Sequence, residues 1–202
     1  MRMRGQLTVL VAVCMGACST GEPDRVATVD EKVPAPAGTE ALAATPPMGF
    51  NTWNRFGCDV SDELVRGIAD AMVESGMKDA GYEYVVIDDC WQVDRGDDGL
   101  IVPDPVRFPA GMKALADYVH DKGLKFGLYT DAGPKTCEGR PGSLGYEQVD
   151  AETYAGWGVD YVKVDWCHSD SLSAPVQYAK FREAFDATGR DMVLSICEWG
   201  RN

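Results

Sequence analysis

From Thr45 onward the chain switches repeatedly between two patterns of apolar and polar positions. Short β-branched and aromatic runs predict strands at Met48–Trp53, Tyr82–Asp89, Lys125–Asp131, Asp160–Asp165 and Met192–Glu198. Between these runs, apolar residues recur three and four positions apart, the spacing of one helix face. Val65, Ile68, Met72 and Gly76 form the first such stripe, with Ser61, Asp62 and Glu63 as its start and Lys78 to Gly81 as its end. Met112, Leu115, Ala116 and Val119 form the second, stopping near Gly123. Ala151 to Trp157 predicts a short third helix, and Tyr178, Phe181, Ala184 and Phe185 mark a fourth.

Five strands and four helices in strict alternation predict a parallel sheet with right-handed crossovers. An open doubly wound sheet and a (β/α)8 TIM barrel both meet that description. No Gly-x-Gly-x-x-Gly follows the first strand, so a dinucleotide-binding sheet lacks its signature. Four of the five strand ends carry carboxylates: Asp88 with Asp89, Asp131, Asp165 and Glu198. A barrel builds its active site from the C-terminal ends of its strands, so this arrangement favours the barrel. A complete barrel needs about 250 residues. The stretch from Thr45 holds five strands, so the expectation is a truncated barrel comprising roughly the first five.

Residues 1–44 follow neither rhythm. Arg2 and Arg4 precede an apolar run from Leu7 to Val13, and small residues lead to Cys18. That run is too short to span a bilayer and suits a signal peptide over residues 1–18. Met15-Gly16-Ala17-Cys18 looks like a bacterial lipoprotein cleavage site with Cys18 as the lipidated residue, although Met15 stands where Leu is usual. Plain secretion is the alternative. Residues 19–44, rich in Ala, Pro, Thr and acids, are expected to form a disordered linker to a domain at 45–202. The protein is expected to be exported: periplasmic, a bacterial cell-surface lipoprotein, or secreted. Its one expected membrane contact is the N-terminal lipid.

Charge and composition narrow the function classes. With 19 basic and 32 acidic side chains the formal net charge is -13, which repels phosphate backbones and argues against nucleic-acid binding. A hydrophobic fraction of 45% argues against general disorder. The two histidines, His120 and His168, fall away from the acid-bearing strand ends, and no His-x-His or Glu-x-x-His spacing occurs. No metal site and no cofactor are expected.

The acids themselves suggest chemistry. Lys163 and Asp165 stand two apart on a strand, so both project to one side, with Asp165 at the mouth. A neighbouring ammonium favours the ionised carboxylate that a nucleophile needs. A structural ion pair inside the barrel would produce the same spacing. Asp88 and Asp89 are adjacent and reach one ligand only where the strand breaks into a loop; there they suit neighbouring sugar hydroxyls. One of them capping the following turn is the simpler alternative. Trp53 could stack on a sugar face or pack in the core. Asp131 could shape a loop as readily as touch a ligand.

Several motifs, in order, resemble glycoside hydrolase family 27, the α-galactosidases and α-N-acetylgalactosaminidases. They are Pro-Met-Gly-Phe-Asn-Thr-Trp-Asn (47–54), Met-Lys-Asp-Ala-Gly-Tyr-Glu-Tyr (77–84), Ile-Asp-Asp-Cys-Trp (87–91) and Gly-Leu-Tyr-Thr-Asp-Ala-Gly (127–133). Lys-Thr-Cys (135–137), Pro-Gly-Ser-Leu-Gly-Tyr-Glu (141–147), Trp-Gly-Val-Asp-Tyr-Val-Lys-Val-Asp-Trp-Cys (157–167) and Ser-Ile-Cys-Glu-Trp-Gly (195–200) complete the set. The resemblance implies Asp165 as catalytic nucleophile and Lys163 as a neighbouring substrate contact. It implies Asp88 and Asp89 as the grip on the terminal sugar, with Trp53 and Tyr129 as aromatic walls. It implies Glu198 as the residue that selects galactose, by binding the 2-hydroxyl and leaving little room for an acetamido group. The implied reaction is retaining hydrolysis of terminal α-galactosides in oligosaccharides or polysaccharides by double displacement. The acid/base residue is expected beyond Asn202, so the 202-residue chain alone is expected to be inactive.

The resemblance also implies disulfides Cys58–Cys90 and Cys137–Cys167, which leave Cys197 without an obvious partner. Four alternatives stand beside the α-galactosidase: an α-N-acetylgalactosaminidase, a β-L-arabinopyranosidase, an α-glucan-cleaving member of the family, and a non-catalytic sugar-binding lipoprotein.

Overall fold

The computed structural model describes residues 42–200; the signal segment, Cys18 and most of the linker lie outside the described residues. In chain order the elements are β1 (Gly49–Asn51), α1 (Trp53–Phe56), α2 (Asp62–Glu74), β2 (Tyr84–Val86), β3 (Gln92–Arg95) and β4 (Ile101–Pro103). They continue with α3 (Gly111–Asp121), β5 (Lys125–Asp131), α4 (Glu147–Trp157), β6 (Tyr161–Asp165), α5 (Ala174–Ala187) and β7 (Val193–Cys197).

The local reasons are legible. Ser61 caps α2, its hydroxyl accepting the Leu64 amide at 3.2 Å, and Asp62 and Glu63 follow at the positive end of the helix dipole. Val65, Ala69 and Met72 bury one stripe of α2. Met112, Leu115, Ala116 and Val119 do the same for α3. Gly158 ends α4 in the left-handed conformation at φ 83°.

β1, β2, β5, β6 and β7 form one parallel sheet in that order, the arrangement of successive strands in a (β/α)8 barrel. Its two faces differ. Val85, Ile87, Phe126, Leu128, Val162 and Val164 turn outward into the core shared with the helices. Tyr84, Val86 and Val193, with Tyr161 packed against them, form a small separate cluster on the other face. Moving up that second face, the residue types change from these apolar groups to Tyr129 and Lys163, then to Asp131 and Asp165 at the C-terminal ends.

Four expectations are corrected. The alternation is not strict, because β3 and β4 form an antiparallel hairpin between β2 and α3. Its turn is closed by Gly99, at φ 82°, and by Asp98, whose carboxylate accepts the Leu100 amide. Trp53 does not end the first strand; it begins α1, because the Asn51 side chain accepts the Trp53 amide and bends the chain at Thr52. Helix α2 stops at Glu74 rather than near Lys78, and Lys78 instead donates from the following turn to the Lys122 carbonyl. In the other direction, α4 begins four residues earlier than its apolar pattern indicates.

Candidate active site

A cavity of about 310 Å3 opens at the C-terminal ends of the strands, lined by Trp53, Asp88, Asp89, Tyr129, Cys137, Lys163, Asp165, Cys197 and Trp199. Six of the seven expected site residues therefore share one concavity. The seventh, Glu198, sits just past β7 between two lining residues, Cys197 and Trp199. A larger cavity of about 700 Å3 lies at the opposite end, against residues 43–48 and Tyr84. Its one acid, Glu83, is paired with Lys125 at 2.8 Å, so the chemistry belongs to the smaller cavity.

Sheet register places most of these groups. Tyr129 stands opposite Lys163, and Asp131 opposite Asp165, across β5 and β6. Asp165 stands opposite Cys197 across β6 and β7. Asp88 continues the inward parity of Tyr84 and Val86, whereas Asp89 is out of phase. Asp89 reaches the same cavity because the strand has already ended and Cys90, fully buried, adopts φ 76°. Three ties hold that residue in place. The Asp89 carboxylate accepts its amide at 2.6 Å, a disulfide joins it to Cys58, and Arg107 donates to its carbonyl.

Lys163 is the hub of the acids. Its ammonium donates to Asp88 Oδ2 at 2.8 Å and lies 3.8 Å from Asp165 Oδ2. The nearer partner is thus Asp88, 75 positions away in sequence, not the strand neighbour Asp165. Burial alone would pull the lysine down, but the charges of Asp88 and Asp165 outweigh it and raise it, so the ammonium stays charged. The same ammonium lies 4.9 Å from the Tyr129 ring centre, within cation–π range. The Tyr129 hydroxyl donates to Asp165 Oδ2 at 3.2 Å. Burial, and then the charges of Asp165, Asp89 and Asp131, raise that phenol far above its ordinary value and keep it a donor.

The remaining acids are committed differently. Asp89 accepts the Cys90 amide on Oδ1 and the Glu138 amide on Oδ2, bridging the loops after β2 and β5. Burial nonetheless raises its carboxyl. Asp131 is fully buried and accepts the amides of Gly133 at 2.7 Å and Cys167 at 2.8 Å. Burial, only partly offset by those two bonds, pushes it up to about 7. Asp131 is therefore a loop-shaping residue. Gly133 answers to the same crowding, since a Cβ there would collide with the Cys167 carbonyl oxygen.

Both expected disulfides join described residues, Cys58–Cys90 and Cys137–Cys167, each with Cα atoms 5.1 Å apart. Cys197 is unpaired, and burial and the Asp165 charge raise its thiol. Asp131, Cys137, Asp165 and Cys167 bring potential ligand atoms within 4.8 Å of one another. The two sulfurs are joined in a disulfide and carry no thiolate, so this is a poor donor set for a metal. His120 pairs with Asp160 at 2.7 Å at the other end of the sheet, and His168 is exposed in the loop after β6.

The sequence patterns did not single out Asn51, Cys137, Cys197 or Trp199 as site residues. Asn51 donates to Asp88 Oδ2 at 2.6 Å. Its one signal was its place in the 47–54 motif, two residues before Trp53.

Residues 45–202 match the family described as "Alpha galactosidase A". Alpha-galactosidase A of Cellvibrio japonicus (strain Ueda107) is 59% identical over 163 residues, 81% of this chain and 40% of that protein. The crystal structure of alpha-galactosidase I from Mortierella vinacea superposes with a TM-score of 0.78 at 46% identity, over 79% of this chain and 42% of the other. An α-galactosidase from Saccharomyces cerevisiae, solved with raffinose, superposes with a TM-score of 0.77 at 42% identity, over 79% and 36% of the two chains. The chain spans about 40% of the length of the curated relative it matches.

Proposed function

The chain belongs to glycoside hydrolase family 27, the alpha-galactosidase A family, and on that premise we propose that the complete gene product releases terminal α-linked galactose from oligosaccharides or polysaccharides. The observation that carries the proposal is the convergence of Asp88, Asp89, Lys163 and Asp165 on one small cavity at the mouth of the sheet. A pocket of about 310 Å3 with three acids and one ammonium suits a single polar sugar ring.

Asp165 acts as the nucleophile, attacking the anomeric carbon to form a glycosyl-enzyme that water then hydrolyses. Its support is position: Lys163 and the Tyr129 hydroxyl both approach Oδ2, and the Trp166 amide donates to Oδ1 at 2.9 Å. Those contacts hold the carboxylate in one orientation and leave it on the cavity wall. Asp88 and Asp89 receive hydroxyl hydrogens of the sugar, and Trp53 and Tyr129 flank the ring. Glu198 faces the 2-hydroxyl and disfavours an acetamido group. Asp131 has a raised pKa near Asp165 but is not the proton donor, because both its oxygens accept backbone amides away from the cavity. The acid/base belongs to a later barrel strand than the five of this parallel sheet.

Export, with a lipid on Cys18, is part of the same proposal. Its support is the pair of disulfides, which form outside the cytoplasm. The deciding experiment compares the complete gene product on aryl α-galactoside, aryl α-N-acetylgalactosaminide and aryl β-L-arabinopyranoside. Preference for the first supports the proposal. Preference for either of the others moves the specificity, and galactose binding without hydrolysis of any points to a sugar-binding protein.

A further inference from the structure

Acceptor counting at Asp88 exposes a residue that the sequence did not flag. An ionised carboxylate offers about four acceptor positions, two on each oxygen. Asp88 Oδ2 receives Lys163 Nζ at 2.8 Å and Asn51 Nδ2 at 2.6 Å, so both its positions are used. Asp88 Oδ1 receives the Asp89 amide at 3.0 Å, which leaves one position open, on Oδ1. The same Asn51 uses its carbonyl oxygen to accept the Trp53 amide at 2.9 Å. One short side chain thus ties Trp53, the first residue of α1, to the Asp88 carboxylate. Only a group that donates and accepts at once, at this length, can make both bonds. Asn51 itself is exposed and the hydrophobic core owes it nothing.

We propose that Asn51 is a positioning residue that fixes the Asp88 carboxylate, so that one Oδ1 acceptor faces the sugar and its distance from Trp53 is set. The kinetic part of this inference rests on the function proposed above; the geometric part does not. The Asp89 amide on Oδ1 and Lys163 on Oδ2 hold the carboxylate from two directions, but the three ammonium hydrogens fix no angle at Oδ2. Asn51 holds it from a third.

Two variants of the complete gene product test it, Asn51→Ala and Asn51→Asp, assayed on an aryl α-galactoside with melting temperature measured alongside. Asn51→Ala is expected to raise KM about three- to tenfold, the worth of one hydrogen bond, with kcat within about twofold and an unchanged melting temperature. Asn51→Asp places a carboxylate beside Asp88, with Asp89 on the same loop and Lys163 and Asp165 facing from β6. Its KM, relative to the unsubstituted protein, is expected to fall as pH falls, because the introduced carboxyl, once protonated, can again donate to Asp88. The Asn51→Ala ratio is expected to stay flat with pH. A purely structural role would lower the melting temperature and yield no such pH contrast. KM within twofold for both variants at every pH overturns the proposal. Should the unsubstituted protein hydrolyse no aryl glycoside, the functional reading fails by itself. A crystal structure of Asn51→Ala then decides the geometry: an Asp88 carboxylate turned away supports positioning, and one left in place overturns it.

Discussion

The two ends of the sheet handle charge in opposite ways. At the N-terminal ends, the acids Asp160 and Glu83 are each paired with a base. Asp160 is paired with His120 Nε2 at 2.7 Å and with Arg190 Nη2 at 2.6 Å, and it also accepts the Phe126 amide. Glu83 is paired with Lys125. At the C-terminal ends, the four acids Asp88, Asp89, Asp131 and Asp165 are nearly or fully buried, and Lys163 is the one ammonium among the cavity's lining residues. Backbone amides and neutral side chains supply most of their other hydrogen bonds. A fold gains nothing by crowding carboxylates of one sign where water is scarce. The lower end is therefore arranged for stability, and the upper end holds a charge arrangement that stability alone would not select.

The sharpest way to break that comparison is Asp165→Asn. The substitution keeps shape and removes one crowded charge. Activity of the complete gene product on an aryl α-galactoside is expected to fall by about four orders of magnitude or more, as loss of a nucleophile does elsewhere. The melting temperature is expected to hold or rise. A large loss of stability with activity retained would reverse the assignment of the two ends.

Asp131 tests the same contrast through pH. Its carboxyl is raised by burial to about 7, from an ordinary value of 3.8. Between those values the folded state holds a proton that the unfolded state has lost. The stability this group contributes is thus complete below about 3.8 and is lost as pH rises through 7. The slope is at most about 1.4 kcal/mol per pH unit. Asp131→Asn cannot titrate there, and its amide cannot accept both backbone N–H groups, so it is less stable at low pH. Its deficit against the unsubstituted protein is expected to shrink steadily from pH 4 to pH 7 in denaturant titrations. A deficit constant over that range would show that Asp131 carries no buried proton.

How much of this was visible beforehand differs between the same regions. The sheet was legible because each strand is a short run rich in β-branched and aromatic residues, as in Tyr84–Ile87 or in Val162 and Val164 flanking Lys163. Acids at four of the five strand ends pointed to the mouth. The hairpin was harder. Gln92–Arg95 is four residues with two charges, and Asp98-Gly99 was the one turn signal beside it. The start of α4 was hidden because its buried residues include Asp150, which Arg95 pairs at 2.6 Å and the Ser143 hydroxyl meets at 2.6 Å. A periodicity argument counts that position as polar and therefore outside. Lys163 meeting Asp88, and Asn51 meeting Asp88, are pairings between residues 75 and 37 positions apart in the chain. They follow from register, and no local spacing encodes them.

The smallest expected effects divide the lower end itself. Arg190 donates to the carbonyls of Val159 at 2.7 Å and Gly158 at 2.9 Å as well as to Asp160, so it joins the loop after α5 to the one after α4. Its side chain is about one-third exposed. Arg190→Ala removes three bonds and leaves two carbonyls short of a partner, and a loss of about 2 kcal/mol is expected in chemical denaturation. Lys125 makes one ion pair with Glu83, and both side chains are about half exposed. Water replaces that bond readily, and salt screens it. Lys125→Ala is expected to cost under about 1 kcal/mol, with the difference from the unsubstituted protein narrowing further at high salt. Its ammonium also lies 5.1 Å from the Tyr84 ring centre, within cation–π range, so a residue of the loss should survive salt. Neither variant is expected to change kcat, because both lie at the opposite ends of the strands from Asp165. If Lys125→Ala cost as much as Arg190→Ala, the lower end would owe its stability to charge alone, not to charge joined to backbone.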